Sequence, residues 1–333
     1  MSELYLSPKD LGVKNHIAVL PCGSLEKSRN VKWTTKELKY YLSYVINGSS
    51  MDRMFGGVIF NPIIGREGHF IHPLYAGFGN PVVKVDWQEA LDNLFKAGEN
   101  IPAASQVAFE PVDIWVCLPY PDQSQTTFGE VGGRELDFRL EEDRYLALSW
   151  WIREFLAKWN NHSSSLSQLS FKGFVWQREA LQAEDISLLK RINSFINSNN
   201  LLSMWLANYG STGVLNSKDY GFDVCSVNPN YYGNNTGNDY QWINNNSNFI
   251  KCYNMGMQIN YGKGMIFSEH HLADYLNLGL PGYNNYLEDC LIVYQFHNIT
   301  MKEAYIHSIV DYIRIYCGIK NIYTKVDYPG ISY

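Results

Sequence analysis

The sequence lacks several patterns that would assign it to a well-known class of proteins. Its six cysteines include no CxxC pair, which argues against a zinc ribbon, and their scattered positions give no disulfide framework. Neither a GxGxxG loop nor a Walker-type phosphate loop is present, so we expect no nucleotide cofactor. No apolar run reaches the roughly 18 residues that a membrane-spanning helix needs, so we expect no membrane partner.

Basic charge is scarce as well. Lys and Arg number 27 against 33 Asp and Glu, which gives a net charge of −6 and a pI near 5.8. Because a nucleic-acid-binding protein presents a basic face to phosphates, we expect no nucleic-acid partner. Residues 1–12 lack the basic-then-apolar pattern of a secretory signal. We therefore expect a cytoplasmic protein, or an extracellular one if a signal has been removed.

Aromatic residues are abundant, at 15% of the chain with 24 tyrosines. Aromatic rings have broad apolar faces, and Tyr and Trp add a polar edge, which suits packing against sugar rings. A tyrosine-rich core would produce the same composition. Both interpretations remain open at this point.

Apolar, strand-like segments alternate with amphipathic segments along the whole chain. The predicted strands are residues 16–21, 54–60, 112–118, 171–176, 201–206, 222–227, 254–259 and 290–296. The predicted helices are residues 34–46, 86–96, 141–159, 185–197, 239–250, 268–278 and 301–317, with a short helix at most between the fifth and sixth strands. The last helix is expected to end at Gly318, as a glycine following a helix often does.

This count of strand–helix units predicts one (βα)8 barrel (a TIM barrel) that covers residues 1–333 as a single domain. The alternative is an open doubly wound sheet, which a glycine-rich phosphate loop would favour. Insertions at residues 61–85 and 119–140 follow the second and third strands. They therefore lie on the face where barrel active sites form.

Amides and tyrosines dominate the predicted C-terminal ends of the strands. Such side chains donate and accept hydrogen bonds without much charge, as recognition of sugar hydroxyls requires, whereas phosphate or carboxylate ligands call for Arg or Lys. We therefore expect a carbohydrate partner. The predicted substrate-binding residues are Trp176, Trp205, Asn208, Tyr209, Asn228, Asn230, Tyr231, Tyr232, Gln258, Asn260, Tyr120 and Gln295.

Glu179 is the strongest catalytic candidate, because it follows an aromatic-rich strand directly. Neighbouring rings would desolvate it and raise its pKa, which fits a general acid. The alternative is a solvated acid in the following loop. Residues 269–271 form the one acid–histidine cluster, but Ser268 is expected to cap a helix with Glu269 in its first turn, so we predict no metal site.

Three segments resemble a bacterial family that is catalogued as a domain of unknown function. Residues 171–179, with the pattern Gly173-Phe174-x-Trp176-x-x-Glu179, resemble its GFYW-x-x-E signature. Residues 220–232 (YGFDVCSVNPNYY) are similar to its GFD…QPNYYF segment, and residues 254–260 (NMGMQIN) match its GMG-x-E-x-E segment. Segments within residues 33–44, 54–60 and 119–129 also fall in the family's order, so the resemblance covers nearly the whole chain.

The resemblance implies a barrel of the glycoside-hydrolase type, with one acid after the fourth strand and a second after the seventh. In a retaining glycosidase these two carboxylates are roughly 5 Å apart. Glu179 corresponds to the acid/base. Gln258 and Asn260 stand where the family has its E-x-E acids, and an amide is a poor nucleophile. Gly56, where the family tends to have Asp, and Asn228, where it has Gln, also depart from the pattern.

Three functions remain open on this basis. The first is a glycoside hydrolase acting on a poly- or oligosaccharide with Glu179 and a relocated partner, such as Asp223, Glu269 or Asp122. The second is a glycan-binding barrel that has lost its nucleophile. The third is a non-enzymatic interaction scaffold. A second carboxylate within about 10 Å of Glu179 would favour the first.

Overall fold

Eight parallel strands form a closed barrel, in which each strand pairs with its neighbours in chain order and the last strand pairs with the first. The computed structural model describes residues 4–24, 32–233 and 239–333. The barrel strands are β1 (Ile17–Cys22), β2 (Gly57–Pro62), β3 (Val112–Cys117), β4 (Leu169–Trp176), β5 (Leu202–Asn208), β6 (Val224–Asn228), β7 (Gly256–Tyr261) and β8 (Ile292–Phe296). The predicted (βα)8 barrel is confirmed, and the open sheet is wrong because β8 closes onto β1.

Helices connect successive strands around the barrel. They are α1 (Thr35–Leu42), α2 (Lys84–Leu94), α3 (Asn100–Val107), α4 (Glu141–Asn161), α5 (Ala183–Ser198), α6 (Gln241–Tyr253), α7 (His271–Leu278), α8 (Tyr286–Asp289), α9 (Met301–His307) and α10 (Ile309–Ile319). Short 3-10 helices cover Ser163–Ser165 and Val214–Asn216, the second of which is the short helix expected between β5 and β6. None of the helices in the described ranges is long and apolar enough to cross a membrane.

The side chains of the strands alternate between two apolar clusters, because successive residues of a strand point to opposite faces. Ile17, Val19 and Trp115 belong to the cluster that fills the barrel interior. Ala18 and Leu20, their neighbours in β1, belong to the cluster between the strands and the helices. The interior is therefore a packed core rather than a channel over most of its length.

The N-terminal segment closes the end of the barrel where the strands begin. The backbone N–H of Leu6 donates to the carbonyl of Met255, just before β7, at 3.2 Å. The N–H of Leu291, just before β8, donates to the carbonyl of Leu6 at 2.8 Å. The side chains of Leu6 and Val13 pack into the interior cluster. Access to the interior is therefore left at the opposite end, where the strands end.

Gly173 permits the close approach of β4 and β5. A Cβ atom at this position would lie 1.8 Å from the carbonyl oxygen of Leu202, so any side chain would force the strands apart. The pairing of β4 with β3 shifts by one residue between Ile114 and Trp115, which is the signature of a β-bulge. The bulge and the glycine together set the register of β4 and thus the position of the residues that follow it.

The predicted helix over residues 34–46 is too long. The helix ends at Leu42, and Ser43–Ile46 instead pairs with Ser49–Arg53 as an antiparallel hairpin. Asn47 and Gly48 form its turn with φ of 49° and 79°, the left-handed values that a two-residue hairpin turn requires. The Asn-Gly pair is the sequence signal that identifies this hairpin. A second hairpin, Gly129–Val131 with Arg134–Leu136, lies within the predicted insertion at 119–140.

The predicted helix over residues 301–317 is in fact two helices, α9 and α10, which are separated by Ser308. The backbone of Ser308 is not helical (φ −146°, ψ 50°). Gly318 lies inside α10 and does not terminate it, contrary to the prediction. A Cβ atom there would come 3.0 Å from Leu276 Cδ2 of α7, so the glycine allows these helices to pack closely.

The predicted start of the helix at 268–278 is also wrong. The helix α7 begins at His271, and its first-turn acid is Asp274 rather than Glu269. Ser268 does not cap it, because the N-cap residue is His270, and the N–H of Ser268 donates to the carbonyl of Tyr232 at 3.1 Å in the loop that precedes the helix.

Candidate functional site

The barrel opens at the C-terminal ends of its strands onto a cavity of about 200 Å³, which we call the mouth cavity. Pockets that enclose drug-sized ligands have roughly 300–1,000 Å³, so this cavity has room for one small ring. It is lined by strand ends and by a turn after β2: Val19, Pro21, Asn61, Ile63, His72, Leu74, Tyr75, Gln177, Glu179, Leu206, Asn208, Asn228, Tyr232, Gln258, Gln295, Phe296 and His297. The predicted site residues among them are Glu179, Asn208, Asn228, Tyr232, Gln258 and Gln295.

Amide side chains occupy the mouth end of the barrel interior. We call the following set the amide layer: Asn61, Gln177, Asn208, Asn228, Gln258, Asn260 and Gln295. Two of its members are linked where Asn260 Nδ2 donates to Asn228 Oδ1 at 2.8 Å. Asn260 Oδ1 in turn lies 3.0 Å from Nε2 of His297. Asn260 is fully buried, so it supports the site from below rather than lining the cavity, contrary to the prediction of direct substrate contact.

Gln258 is held firmly by the strands beside it. Its Nε2 donates to the backbone carbonyls of Ser226 at 2.6 Å and Ala207 at 3.2 Å, and its Oε1 accepts a hydrogen bond from Gln295 at 3.0 Å. A glutamate here would place an ionised carboxylate against two carbonyl oxygens, with no proton to donate to them. Because Gln258 is 1% exposed, this charge would also be desolvated. The position therefore suits an amide, and an ionised carboxylate would be destabilised there.

Glu179 lies at the rim of the mouth cavity, in the loop after β4. Its Oε2 accepts a hydrogen bond from Asn208 Nδ2 at 2.7 Å, and its backbone carbonyl accepts one from the N–H of Asn208 at 3.1 Å. The predicted desolvation is wrong, because the residue is exposed. Glu179 does influence its surroundings: burial, and secondarily the Glu179 charge, raise the pKa of Tyr232, another residue of the lining.

Three buried oxygens of the amide layer have no hydrogen-bond partner among the described residues. They are Asn61 Oδ1, Gln177 Oε1 and Asn208 Oδ1. Asn61 is 3% exposed, and the other end of the Asn208 amide is committed to Glu179. Buried polar atoms are almost always paired. The residues that carry these oxygens line the mouth cavity, so a ligand that donates hydrogen bonds to them would satisfy these acceptors.

The predicted site does not include the turn after β2, which contributes His72, Leu74 and Tyr75. The Nδ1 of His72 accepts the N–H of Leu74 at 3.2 Å, and the rings of His72 and Tyr75 lie 5.3 Å apart. Burial lowers the pKa of His72 to about 4, and the neighbouring Gln177 opposes this shift. In the sequence, the feature that points to this turn is its location in the insertion at 61–85, which is predicted to lie on the functional face.

The proposed carboxylate partners of Glu179 lie outside the mouth cavity. Asp223 directly precedes β6 and accepts from the N–H of Ser203 at 2.8 Å, near the start of β5, so it lies at the opposite end of the barrel. Asp122 lines a neighbouring cavity of about 230 Å³, and Glu269 is exposed in the loop before α7. Glu179 is thus the one carboxylate in the described lining.

Several predicted contact residues serve the core instead. Trp205 is fully buried, with its Nε1 donating to the carbonyl of Arg178 at 2.7 Å. Tyr231 is 1% exposed and donates to Asp274. The other predicted contacts that the cavity lining does not include are Trp176 and Tyr120, which are buried, and Tyr209 and Asn230, which are half-buried. These large aromatic residues pack in the cluster between the strands and the helices, outside the barrel interior.

The acid–histidine cluster at 269–271 does not assemble a metal site. His270 Nδ1 lies 2.6 Å from Asp274 Oδ2, whereas His271 Nδ1 lies 2.8 Å from the carbonyl of Ser268. In the part of the chain that the structure covers, no three His, Cys, Asp or Glu side chains are grouped so that they could hold a metal ion.

Comparison with known proteins gives one family match and two similar solved structures. A model of the family described as "Domain of unknown function (DUF4855)" matches residues 22–280, a range that includes residues 171–179, 220–232 and 254–260. No curated protein matches the sequence. Similar solved structures include a mutant tryptophan synthase alpha-subunit from Pyrococcus furiosus, at 10% identity and a TM-score of 0.40, with 93% of this chain and 98% of that chain covered. The tryptophan synthase α2β2 complex of the same organism gives 9% identity, a TM-score of 0.38 and the same coverage.

Proposed function

We propose that this chain, which belongs to the DUF4855 family of domains of unknown function, binds one sugar residue of a glycan in the mouth cavity. The observation that carries the proposal is the lining itself. It combines amide side chains, unpaired buried oxygens and the aromatic rings of Tyr75 and Tyr232 around a space for one ring. Sugar hydroxyls suit the amides, and the apolar face of a sugar suits the rings.

A two-carboxylate hydrolase is less well supported. Both retaining and inverting mechanisms place an acid and a second carboxylate on either side of the scissile bond. Within the described lining the second carboxylate is missing, and Gln258 accepts and donates hydrogen bonds that a carboxylate could not reproduce. Binding without cleavage by this mechanism is therefore the function that the geometry supports best.

Isothermal titration calorimetry with a panel of oligosaccharides tests the proposal. Asn208→Ala removes an unpaired acceptor from the cavity wall and should weaken binding about ten-fold, since one hydrogen bond contributes about 1–1.5 kcal/mol. Asn160→Ala is the matched control, because Asn160 is exposed on α4, and it should leave the affinity unchanged. Failure of every glycan to bind, or equal affinity of both variants, would contradict the proposal.

Hydrolysis that uses Glu179 with Tyr232 is a second candidate. Both line the cavity, and the charge of Glu179 acts on the Tyr232 phenol. Certain glycosidases use a tyrosine nucleophile. The raised pKa of Tyr232 keeps the phenol protonated, which makes it a weak nucleophile and places this function second.

Aryl glycosides separate the two candidates. Hydrolysis by the wild-type protein that disappears in both Glu179→Gln and Tyr232→Phe would favour cleavage. Residual hydrolysis that is unchanged in Glu179→Gln would remove Glu179 from any mechanism.

A further inference from the structure

We propose that the sugar bound in the mouth cavity is an amino sugar whose protonated, unacetylated amine pairs with Glu179. This inference rests on the proposed glycan binding and names the class of glycan. It follows from the charge and the hydrogen-bonding character of the residues that surround the cavity.

Glu179 is a carboxylate without a cation. Its side chain accepts a hydrogen bond from the neutral amide of Asn208, and within the described residues no Lys, Arg or His side chain forms an ion pair with it. Arg178, the nearest cation along the chain, is committed elsewhere. It donates to Tyr120, and its Nη1 lies 3.9 Å from Asp185. Neither Lys nor Arg occurs among the residues that line the cavity.

The histidines of the lining do not cancel this negative charge at neutral pH. Burial keeps His72 neutral, with a pKa of about 4, and an ordinary histidine has a pKa near 6.5. The mouth cavity therefore carries one uncompensated negative charge. An anionic sugar would be repelled, whereas a cationic one would be attracted.

The unpaired atoms of the wall point to the same ligand. Asn61 Oδ1 and Asn208 Oδ1 are acceptors without donors. Asn208 lies directly beside Glu179, so one of these acceptors is adjacent to the carboxylate. An ammonium group carries three donors and no acceptor. It can therefore pair with the carboxylate and donate to an amide oxygen at the same time, which a single hydroxyl cannot do.

Matched hexoses test the inference by calorimetry at pH 7, which is below the ordinary pKa of an α-amine of about 7.7–8.0. The probes are glucose, glucosamine and N-acetylglucosamine, which carry a hydroxyl, an amine and an acetamide at C2, respectively. The same three sugars in the galacto configuration form a second set. We expect the amine to bind about five-fold more tightly than the hydroxyl or the acetamide, as for a partly exposed ion pair. The preference should decrease at high salt.

Glu179→Gln should abolish the preference for the amine. Glu269→Gln is the matched control, because Glu269 is an exposed acid outside the cavity lining, and it should retain the preference. Equal affinity for the hydroxyl and amine sugars, or a preference that survives in Glu179→Gln, would overturn this inference and leave glycan binding standing. Failure of all the hexoses and oligosaccharides to bind would remove both proposals.

Discussion

The two ends of the barrel interior are built from different chemistry. Where the strands begin, the interior is apolar, with Ile17, Trp115 and Val224 packed under Leu6 of the N-terminal segment. Where the strands end, the interior is lined by the amide layer, and three of its oxygens are unpaired among the described residues. The same strands therefore supply a core at one end and a recognition surface at the other.

This difference indicates that the apolar end of the interior serves stability, whereas the amide layer is suited to binding. Apolar side chains gain free energy when they leave water, whichever neighbours they meet. Buried amides gain little unless every donor and acceptor is paired, and an unpaired one costs free energy. Exceptions to this rule are expected at functional sites, where local stability is given up for recognition. Substitutions at the two ends should accordingly change the free energy of unfolding by different amounts, and even in opposite directions.

The largest effect is expected at the apolar end, from Trp115→Ala. Trp115 is fully buried in the interior cluster, and its removal leaves a cavity that the rigid barrel cannot close. We expect the free energy of unfolding to fall by about 4 kcal/mol, measured by urea denaturation. Trp150→Ala, at a half-buried position on α4, is the control and should cost much less. Equal losses would show that the interior cluster is not the main source of stability.

The next effect is expected within the amide layer, from Gln258→Glu. The new carboxylate would face the carbonyls of Ala207 and Ser226, so burial should hold its pKa above the unfolded value near 4.3. The free energy of unfolding should therefore fall by about 3 kcal/mol at pH 7. Relative to the wild type at the same pH, this loss should shrink as the pH falls toward 4, because the protonated acid can donate.

The neutral variant Gln258→Met separates the charge from the lost hydrogen bonds. It should cost about 1–2 kcal/mol for the two carbonyls left unpaired, without any dependence on pH. A Gln258→Glu protein whose loss of stability relative to the wild type is no larger at pH 7 than at pH 4 would show that the mouth end tolerates a second carboxylate. The hydrolase would then regain support.

A third difference is expected in the pH dependence of stability, and it comes from His72 at the mouth. Its folded-state pKa of about 4 lies below the unfolded value near 6.5. Its contribution to stability is therefore complete above pH 6.5 and is lost as the pH falls toward 4, because the unfolded chain takes up a proton first. We expect a loss of about 2 kcal/mol by pH 5. His72→Asn, which can still accept the N–H of Leu74, should lack this loss.

Urea denaturation at a series of pH values measures this contribution. His307→Asn serves as the control, since His307 is exposed on α9, and it should keep the pH dependence of the wild type. Identical profiles for His72→Asn and the wild type would mean that the His72 ring is solvated and not part of a dry cavity wall.

Most of the barrel could be predicted from the sequence, because each strand is a short apolar run between polar segments. The predicted boundaries of the helices are wrong where two local sequence signals compete. The segment 43–46 continues the helical pattern of α1, but the Asn47-Gly48 turn after it imposes a hairpin. Ser308 interrupts a helical pattern that is apolar on both sides. These outcomes depend on backbone geometry, which periodicity does not encode.

The site could be predicted in part, because the ends of parallel strands meet at one end of a barrel. This placed Glu179, Asn208 and Gln258 together correctly. The burial of Trp205 could not be foreseen, because the side of the barrel wall that a strand-end side chain faces depends on the register. The contribution of His72 depends on how a loop folds back over the mouth, for which the sequence carries no periodic signal.

The smallest effect should have the opposite sign and should come from Asn61→Leu. Asn61 Oδ1 is buried without a partner among the described residues, so its removal should raise the free energy of unfolding by about 1 kcal/mol. Sugar binding should weaken about ten-fold at the same time, because the cavity loses an acceptor. Urea denaturation and calorimetry on the same preparation measure the two changes.

Asn193→Leu provides the matched comparison for Asn61→Leu. Asn193 is equally buried, but its Nδ2 donates to the carbonyl of Tyr220 at 2.8 Å, far from the mouth cavity lining. Its replacement should therefore lower the free energy of unfolding and leave sugar binding unchanged. A loss of stability in Asn61→Leu as large as in Asn193→Leu would mean that Asn61 is a structural amide. Opposite signs would instead identify Asn61 as a residue that is retained for its ligand at a cost to the fold.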